Sequence, residues 1–219
     1  MNPIPSTDLI DLTPHNDSGL LRIEVAYART DNQLFGERIY KPTAKLITHK
    51  ILAEITIKAA QIARDTHDLT LVVYDSLRTT TAQQRMLETQ IVQDNPHWLE
   101  EPRLLSPPGG GAHPRGMAID VTLQTQNGTL LDMGTPFDQM CEDARPATNK
   151  AHRKHPSLSE EVIKNRKLLD DCMLSAAKSL NTSLLGLPEE WWDYRVPAEV
   201  YEKYAPLSDD DLPEEMRCL

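Results

Sequence analysis

The chain has 219 residues, of which 39% are hydrophobic and 26% are charged. This is enough for one well-buried core and leaves little room for a second full domain. A net charge of −10 argues against nucleic acid and anionic membranes as partners. The three cysteines, Cys141, Cys172 and Cys218, are odd in number and lack CxxC spacing, so neither a disulfide framework nor a cysteine-based zinc site is expected.

The N-terminal segment and the hydrophobicity of the chain indicate its compartment. Residues 1–8 carry two prolines and no basic-then-apolar run, and no apolar stretch is long enough to span a membrane. We therefore expect a cytoplasmic protein that does not enter a membrane.

The first half of the chain alternates between strand and helix patterns. Residues 23–27 alternate in polarity as a short strand does. Residues 44–64 carry the clearest amphipathic helix pattern, and residues 69–74 are a β-branched run typical of a buried strand. A further helix is predicted over residues 82–92.

The second half begins after a Pro/Gly-rich segment that breaks regular structure. Residues 117–125 alternate as a strand, Asn127 and Gly128 are typical of a hairpin turn, and residues 129–133 are predicted to be the partner strand.

Two more elements and a tail follow. A capping box at residues 157–160 predicts a long helix that continues to Leu180, and residues 184–194 are predicted as a strand. Residues 205–219 contain five acids and two prolines and are predicted to be a flexible acidic tail. The pattern indicates an α+β fold in a single domain over residues 1–219, with a small central antiparallel sheet flanked by two long helices.

Residues 111–120 form the segment with the clearest chemistry. His113 lies in a Gly/Pro-rich loop, and Asp120 follows on the polar face of the predicted strand. A histidine nitrogen and a carboxylate oxygen suit zinc and related divalent ions. The alternative is a loop histidine and a solvated aspartate with no shared role.

The second candidate segment joins two acids to two tryptophans. Glu190 and Asp193 flank Trp191 and Trp192, whose rings would exclude water and raise the pKa of a neighbouring carboxylate, as a general base requires. For both acids to face one site, the chain must turn there, because residues three apart point to opposite faces of a strand. The alternative is that the tryptophans belong to the core and the acids to its rim.

A third candidate is Arg78, which follows a buried strand. Its guanidinium could stabilise an oxyanion, although an arginine in this position is more often a surface or salt-bridged residue.

In this order along the chain, the segments resemble the D-alanyl-D-alanine dipeptidases of the vancomycin-resistance type, relatives of zinc D,D-carboxypeptidases and murein endopeptidases. The family motif SxHxxGxAxD corresponds to residues 111–120, and Glu-Trp-Trp-His corresponds to residues 190–193. The motif Asp-Gly-Tyr-Arg corresponds to residues 75–78. Two further family segments, Met-Gly-x-x-Phe-Asp and Tyr-Ala-x-x-Asp-Asn, correspond to residues 133–138 and 27–32.

The resemblance implies a role for each matching residue. His113 and Asp120 would be metal ligands, Glu190 the catalytic base, and Arg78 the group that polarises the scissile carbonyl and stabilises the oxyanion. The substrate's free ammonium group would be held by Tyr27 and Asp138. The implied fold is the small α+β fold of the zinc D,D-peptidases.

The chain departs from the family pattern at four positions. Asp193 stands where the family has its third-ligand histidine, and Gly111 stands in place of the motif serine, which is linked to recognition of the substrate carboxylate. Leu77 and Thr79 replace the tyrosine and proline beside the arginine. These changes affect the metal site and the C-terminal end of the substrate pocket.

Asp193 is the expected third ligand; the alternatives are that His152 or His155 supplies it, or that no functional metal binds. One histidine with two aspartates leaves a bound zinc ion formally neutral, where two histidines with one aspartate leave +1. A neutral site is a weaker Lewis acid, and harder oxygen ligands favour manganese or iron(II). Zinc is the expected ion, with Mn²⁺ and Fe²⁺ as alternatives.

The function that the resemblance implies is hydrolysis of D-alanyl-D-alanine or a closely related small dipeptide by metal-activated water. One alternative is a peptidoglycan D,D- or L,D-peptidase that cuts larger fragments. The other is a relative that binds a peptide without cutting it.

Overall fold

The computed structural model describes residues 1–101 and 103–219. Its strands are β1 (Leu9–Asp11), β2 (Leu21–Ile23), β3 (Ile47–His49), β4 (Leu69–Asp75), β5 (Ala118–Thr125), β6 (Leu185–Gly186) and β7 (Asp193–Arg195). The helices are α1 (Thr13–Asp17), α2 (Lys50–His67), α3 (Thr80–Leu87), α4 (Gln90–Asp94), α5 (Glu160–Ser179) and α6 (Ala198–Tyr201).

The centre of the molecule is a five-stranded sheet with the order β2-β4-β5-β7-β6, beside a two-stranded sheet of β1 and β3. All neighbouring pairs are antiparallel except β2 and β4, which are parallel. The parallel pair arises because the chain between these two strands crosses over through β3 and α2. The predicted α+β class is confirmed.

The two long helices pack against each other and enclose the main core with the sheet. Helix α2 also contacts β4. Its apolar face, with α5 and the inner residues of the sheet, forms one buried cluster that includes Leu52, Ile55, Ala59, Leu71, Val121, Leu169 and Met173. Burial of these side chains is the main stabilising contribution.

Helix α2 begins later than the amphipathic pattern predicts. Residues 47–49 pair with β1 as strand β3, so the helix starts at Lys50, where the His49 side chain accepts a hydrogen bond from the backbone NH of Ile51. Helix α5 is capped by Ser159 and begins at Glu160, two residues beyond the predicted cap. The helix predicted over residues 82–92 is divided into α3 and α4.

The predicted hairpin at Asn127 and Gly128 and the predicted strand over residues 184–194 both differ in part from the structure. The turn at Gly128 is present, with φ of 86°, but the partner strand predicted at 129–133 is reduced to one isolated bridge between Gln124 and Leu130. The strand predicted over residues 184–194 is two short strands, β6 and β7, joined by a turn at Pro188. This turn leaves Glu190 outside the strand and makes Asp193 the first residue of β7.

The acidic segment 205–219, predicted to be flexible, is packed against the body of the protein in the structure. Leu207 and Leu212 join Leu77 in a buried cluster, and Asp209 accepts hydrogen bonds from the backbone NH groups of Cys218 and Leu219. These apolar residues, spaced among the acids, supply the contacts that the overall composition does not reveal. Mobility of this segment in solution, like the single-domain organisation, stays a prediction.

Among residues 1–101 and 103–219, no helix has the length and hydrophobicity needed to cross a membrane.

Candidate active site

Three carboxylates lie in a row across the central sheet. Asp75 at the end of β4 is the register partner of Asp120 on β5, and Asp120 is the register partner of Asp193 on β7. The ladder is irregular between Val73 and Asp75, and this irregularity brings Asp75 opposite Asp120. All three residues are almost completely buried. Like charges placed opposite each other repel, so this row requires cations.

His113 faces this row from a tight turn before β5. The turn spans His113–Arg115, and Gly116 ends it with φ of 62°. A side chain at Gly116 would come within 2.9 Å of the backbone nitrogen of His49. His113 Nδ1 lies 2.7 Å from the carbonyl oxygen of Ser76, a contact that makes Nδ1 the donor and leaves Nε2 free to accept or ligate.

The distances around His113 Nε2 match those expected for a zinc site. It lies 3.6 Å from Asp120 Oδ1 and 3.3 Å from Asp193 Oδ2. Ligands held about 2.0–2.2 Å from zinc in a tetrahedral arrangement are about 3.3–3.6 Å apart. Asp120 Oδ1 is buried without a hydrogen-bond partner among the described residues, a costly state that a bound cation would relieve. The donors present therefore fit a divalent metal.

Asp75, His113 and Asp120 also place one ligand atom each within 4.8 Å of one another. Both oxygens of Asp75 are already engaged, because Tyr40 OH donates to Oδ1 and Arg78 Nε donates to Oδ2, each at 2.9 Å. Asp75 also lies on the Nδ1 side of His113, at 3.8 Å. These contacts make Asp75 a residue that orients Arg78.

The charges of this cluster shift its pKa values strongly. Burial and Arg78 disfavour the protonated form of His113, but the carboxylates of Asp120 and Asp193 outweigh them and raise its pKa to about 10. Burial raises the pKa of Asp120. In the metal-free protein, a proton on His113 therefore partly neutralises the acids, and metal binding would replace it.

Arg78 lies at the centre of a polar network and is largely buried, with 12% of its side chain exposed. Its Nη2 lies 3.3 Å from both Asp120 Oδ2 and Tyr27 OH. Among the described residues, no hydrogen bond involves Nη1 of Arg78, so this end of the guanidinium is available to a ligand. Arg78 is therefore salt-bridged, as the alternative to a catalytic role predicted. Its Nη1 group still has donors that are available to a ligand.

Tyr27 and Asp138, predicted to act together, are in direct contact. Tyr27 OH donates a hydrogen bond of 2.7 Å to Asp138 Oδ2. Asp138 has φ of 63°, an uncommon conformation that non-glycine residues adopt mainly where the surrounding structure enforces it. Phe137 packs between Tyr74 and Trp192, with ring centroids 4.5 and 5.6 Å away. Burial raises the pKa of Asp138 to about 7.

Glu190 lies in the turn before β7 and is half-buried. Burial, together with the charges of Asp193 and Asp120, raises its pKa well above the usual range. The neighbouring Trp191 and Trp192 are buried and meet edge to face at 5.3 Å. The tryptophans therefore belong to the core, and Glu190 also has the raised pKa that was predicted.

Arg195 and Arg153 make contacts around Asp193 that were not predicted from the sequence. Arg195 Nε donates to Asp193 Oδ1 at 2.8 Å, and its Nη2 donates to Asp193 Oδ2. Arg153 Nη2 donates to the carbonyl oxygens of Trp191 and Asp193 and so holds the turn in place. The spacing of Asp193 and Arg195 was the available signal, because residues two apart on a strand share a face.

The two histidines considered as substitute ligands bond within their own loop. His152 Nδ1 accepts from the backbone NH of Lys154, and His155 Nδ1 lies 2.8 Å from the carbonyl oxygen of Pro146. Among the described residues, the His113 ring makes its polar contacts with Asp75, Ser76, Asp120 and Asp193. The geometry favours Asp193 over either histidine.

Comparison with known proteins identifies the family of this chain. A family model described as D-ala-D-ala dipeptidase, of peptidase family M15, matches residues 16–208. The chain is 32% identical over 192 residues to the D-alanyl-D-alanine dipeptidase of Escherichia coli (strain K12). The match covers 88% of this chain and 86% of that dipeptidase. The chain belongs to the D-ala-D-ala dipeptidase family.

Membership in this dipeptidase family makes the chain a peptidase, and the M15 peptidases are zinc-dependent. Among solved structures, an L-Ala D-Glu endopeptidase of Serratia marcescens matches with 11% identity and a TM-score of 0.40, over 70% of this chain and 84% of that one.

The positions that depart from the family motifs have clear structural surroundings. Gly111 has φ of 75°, and its carbonyl oxygen accepts a hydrogen bond from Arg115. Leu77 is part of the buried cluster with the C-terminal segment. Thr79 caps helix α3 by accepting a hydrogen bond from the backbone NH of Ala82.

Proposed function

We propose that this peptidase is a metal-dependent dipeptidase that hydrolyses D-alanyl-D-alanine or a closely related small dipeptide. The observation that carries the proposal is a continuous line of contacts. Asp138 bonds to Tyr27, Tyr27 contacts Arg78, and Arg78 contacts Asp120. An ammonium-binding carboxylate so close to the metal-ligand carboxylate suits a substrate whose free amino end lies one residue from the scissile bond.

His113 Nε2, Asp120 and Asp193 would hold the metal. Zinc is the expected ion, with Mn²⁺ or Fe²⁺ as alternatives because two of the three donors are carboxylates. A bound zinc ion supplies Lewis-acid polarisation of the carbonyl group and makes water more acidic.

The protein groups account for the rest of the chemistry. Glu190, whose pKa is raised by burial and by the neighbouring carboxylates, accepts the proton of the attacking water and gives it to the leaving amine. Arg78 directs its unengaged Nη1 donors to the oxyanion that develops on the carbonyl oxygen. Trp191, Trp192 and Phe137 limit the access of bulk water.

Asp138 pairs with the substrate's ammonium group, and Tyr27 fixes the carboxylate through one oxygen while the other faces the ligand. An N-acyl cap removes the positive charge and adds bulk. This arrangement favours a free dipeptide over a larger peptidoglycan fragment, in which the corresponding nitrogen is acylated.

The test is a metal analysis of the purified protein with assays of D-Ala-D-Ala and N-acetyl-D-Ala-D-Ala in the presence of zinc, manganese, iron(II) or cobalt. We expect one metal ion per chain and cleavage of the free dipeptide alone. Equal cleavage of both substrates would favour the peptidoglycan peptidase. Tight binding of the dipeptide without turnover, with any of the four metals, would favour the non-catalytic relative.

A further inference from the structure

The carboxylate of Asp193 is paired with a cation of its own. Arg195 contacts both of its oxygens, with Nε at 2.8 Å from Oδ1 and Nη2 donating to Oδ2. The Asp193 side chain is 1% exposed and that of Arg195 is 20% exposed, so water screens the pair weakly. Each carboxylate oxygen has two lone pairs, and one remains on each for a metal after Arg195 is bound.

Strand register explains why Arg195 can reach this position. Asp193 lies opposite Asp120, and Arg195 lies opposite Ala118 on the same face of the β5–β7 pair. The small side chain of Ala118 leaves room for the guanidinium to turn back along its own strand. Arg78 serves the other end of the carboxylate row, where it bridges Asp75 and Asp120.

We propose that Arg195 is a positioning residue that makes the Asp193 carboxylate electrostatically equivalent to a neutral ligand. The proposal rests on the metal site of the proposed function. Asp193 and Arg195 together carry no net charge, as a neutral imidazole does. The three ligands together with Arg195 therefore carry a net charge of −1, the same as two histidines and one aspartate. A bound zinc ion brings the net charge to +1 in both cases. On this count, replacing the third histidine by aspartate does not weaken the Lewis acid.

The charge count makes Asp193 and Arg195 dependent on each other. Asp193→His alone would leave Arg195 without its partner and beside the metal, so the cluster with zinc would carry +2. Arg195→Gln alone would leave two carboxylates facing the ion without the compensating charge of Arg195, so the cluster with zinc would carry no net charge. The double variant Asp193→His, Arg195→Gln returns to +1.

The experiment is a double-variant cycle in which zinc affinity is measured by competition with a chromophoric chelator at one pH. We expect Asp193→His to weaken zinc binding by about tenfold or more, because an unpaired cation a few ångströms away opposes the ion. Adding Arg195→Gln to that variant should recover most of the loss. In the parent protein, Arg195→Gln should bind zinc at least as tightly, while Arg195→Lys should resemble the parent.

A matched control is Arg22→Gln. Arg22 lies on strand β2 and pairs with Glu24 two residues further along the chain, as Arg195 pairs with Asp193 two residues before it. Both Arg22 and Glu24 are partly exposed to solvent and lie outside the metal site. The zinc affinity of the Arg22→Gln variant should equal that of the parent. Thermal melting of each metal-free variant is the control for folding, and we expect the same folded fraction in all of them at the temperature of the zinc titration.

A purely structural role for Arg195 makes a different prediction. Arg195→Gln would then weaken zinc binding by a similar factor with Asp193 and with His at that position, and this additive result would overturn the proposal. Failure of the proposed function is distinguishable: the parent protein would bind no zinc, or would bind it undiminished after His113→Ala.

Discussion

The hydroxyl group of Tyr27 lies 2.7 Å from Asp138 Oδ2 and donates a hydrogen bond to it. Because burial raises the pKa of Asp138 to about 7, the carboxylate is only partly ionised at neutral pH. An ammonium group binds the ionised form. We therefore expect the affinity for D-Ala-D-Ala to increase as pH rises from 5.5 to about 7.5, near which the dipeptide's own amine begins to lose its proton.

Calorimetric titration of a Glu190→Gln variant with the dipeptide measures this affinity without turnover. Adding Asp138→Asn should weaken binding and flatten its pH dependence, while Asp210→Asn, an exposed acid elsewhere, should change neither. An unchanged pH dependence after Asp138→Asn would remove Asp138 from substrate binding.

The same group links stability to pH. The folded protein binds a proton at Asp138 up to about pH 7, whereas the unfolded chain releases it near the ordinary value of 3.8. Asp138 therefore lowers the free energy of unfolding as pH rises between these values. Urea unfolding at pH 5 and pH 8 should show a smaller loss of stability in Asp138→Asn than in the parent.

The metal ligands can be tested without an activity assay. His113→Ala and Asp120→Asn should each remove bound zinc from a protein that remains folded, since Asp120 Oδ1 has no other partner among the described residues. Asp193→Ala should weaken zinc binding strongly. Metal content after dialysis and the far-UV spectrum provide the two measurements; full zinc content in either of the first two variants contradicts the ligand assignment.

Glu190 has a matched control in its neighbour. Glu190→Gln should retain the metal and lower kcat by about 10²–10⁴-fold, because an amide cannot accept the proton of the attacking water. Glu189→Gln changes the same functional group one residue away and should have near-parental turnover. A near-parental kcat for Glu190→Gln would exclude this residue as the base.

Arg78 is best tested with a conservative change, because truncation would leave the buried Asp75 without its cation. Arg78→Lys retains a positive charge and loses the planar fork that contacts Asp75, Tyr27 and Asp120 together. We expect kcat to fall by about 10²–10³-fold with zinc retained, and Arg145→Lys, a largely exposed position, to be neutral. A change confined to KM would make Arg78 a binding residue only.

The short-range pattern of the sequence determined several of the main helices and strands and pointed to the candidate site residues. The buried strand that ends at Asp75, the amphipathic helix α2 and the strand with Asp120 follow from hydrophobic periodicity, which depends on neighbouring residues alone. The candidate residues His113, Glu190, Asp193 and Arg78 were selected by residue type and by their order along the chain, and the resemblance to a family implied their roles.

Tertiary structure decided how these groups meet. Strand register is set by contacts between distant segments, so the alignment of Asp75, Asp120 and Asp193 could not be read from periodicity, which gives the face of a strand but not its partner. The turn that separates Glu190 from β7 depends on Arg153, and residues 47–49 became strand β3 because β1 was available to pair with them. The pairing of Arg195 with Asp193 belongs here too: a shared strand face permits the contact, and the buried row of carboxylates supplies the electrostatic reason for it.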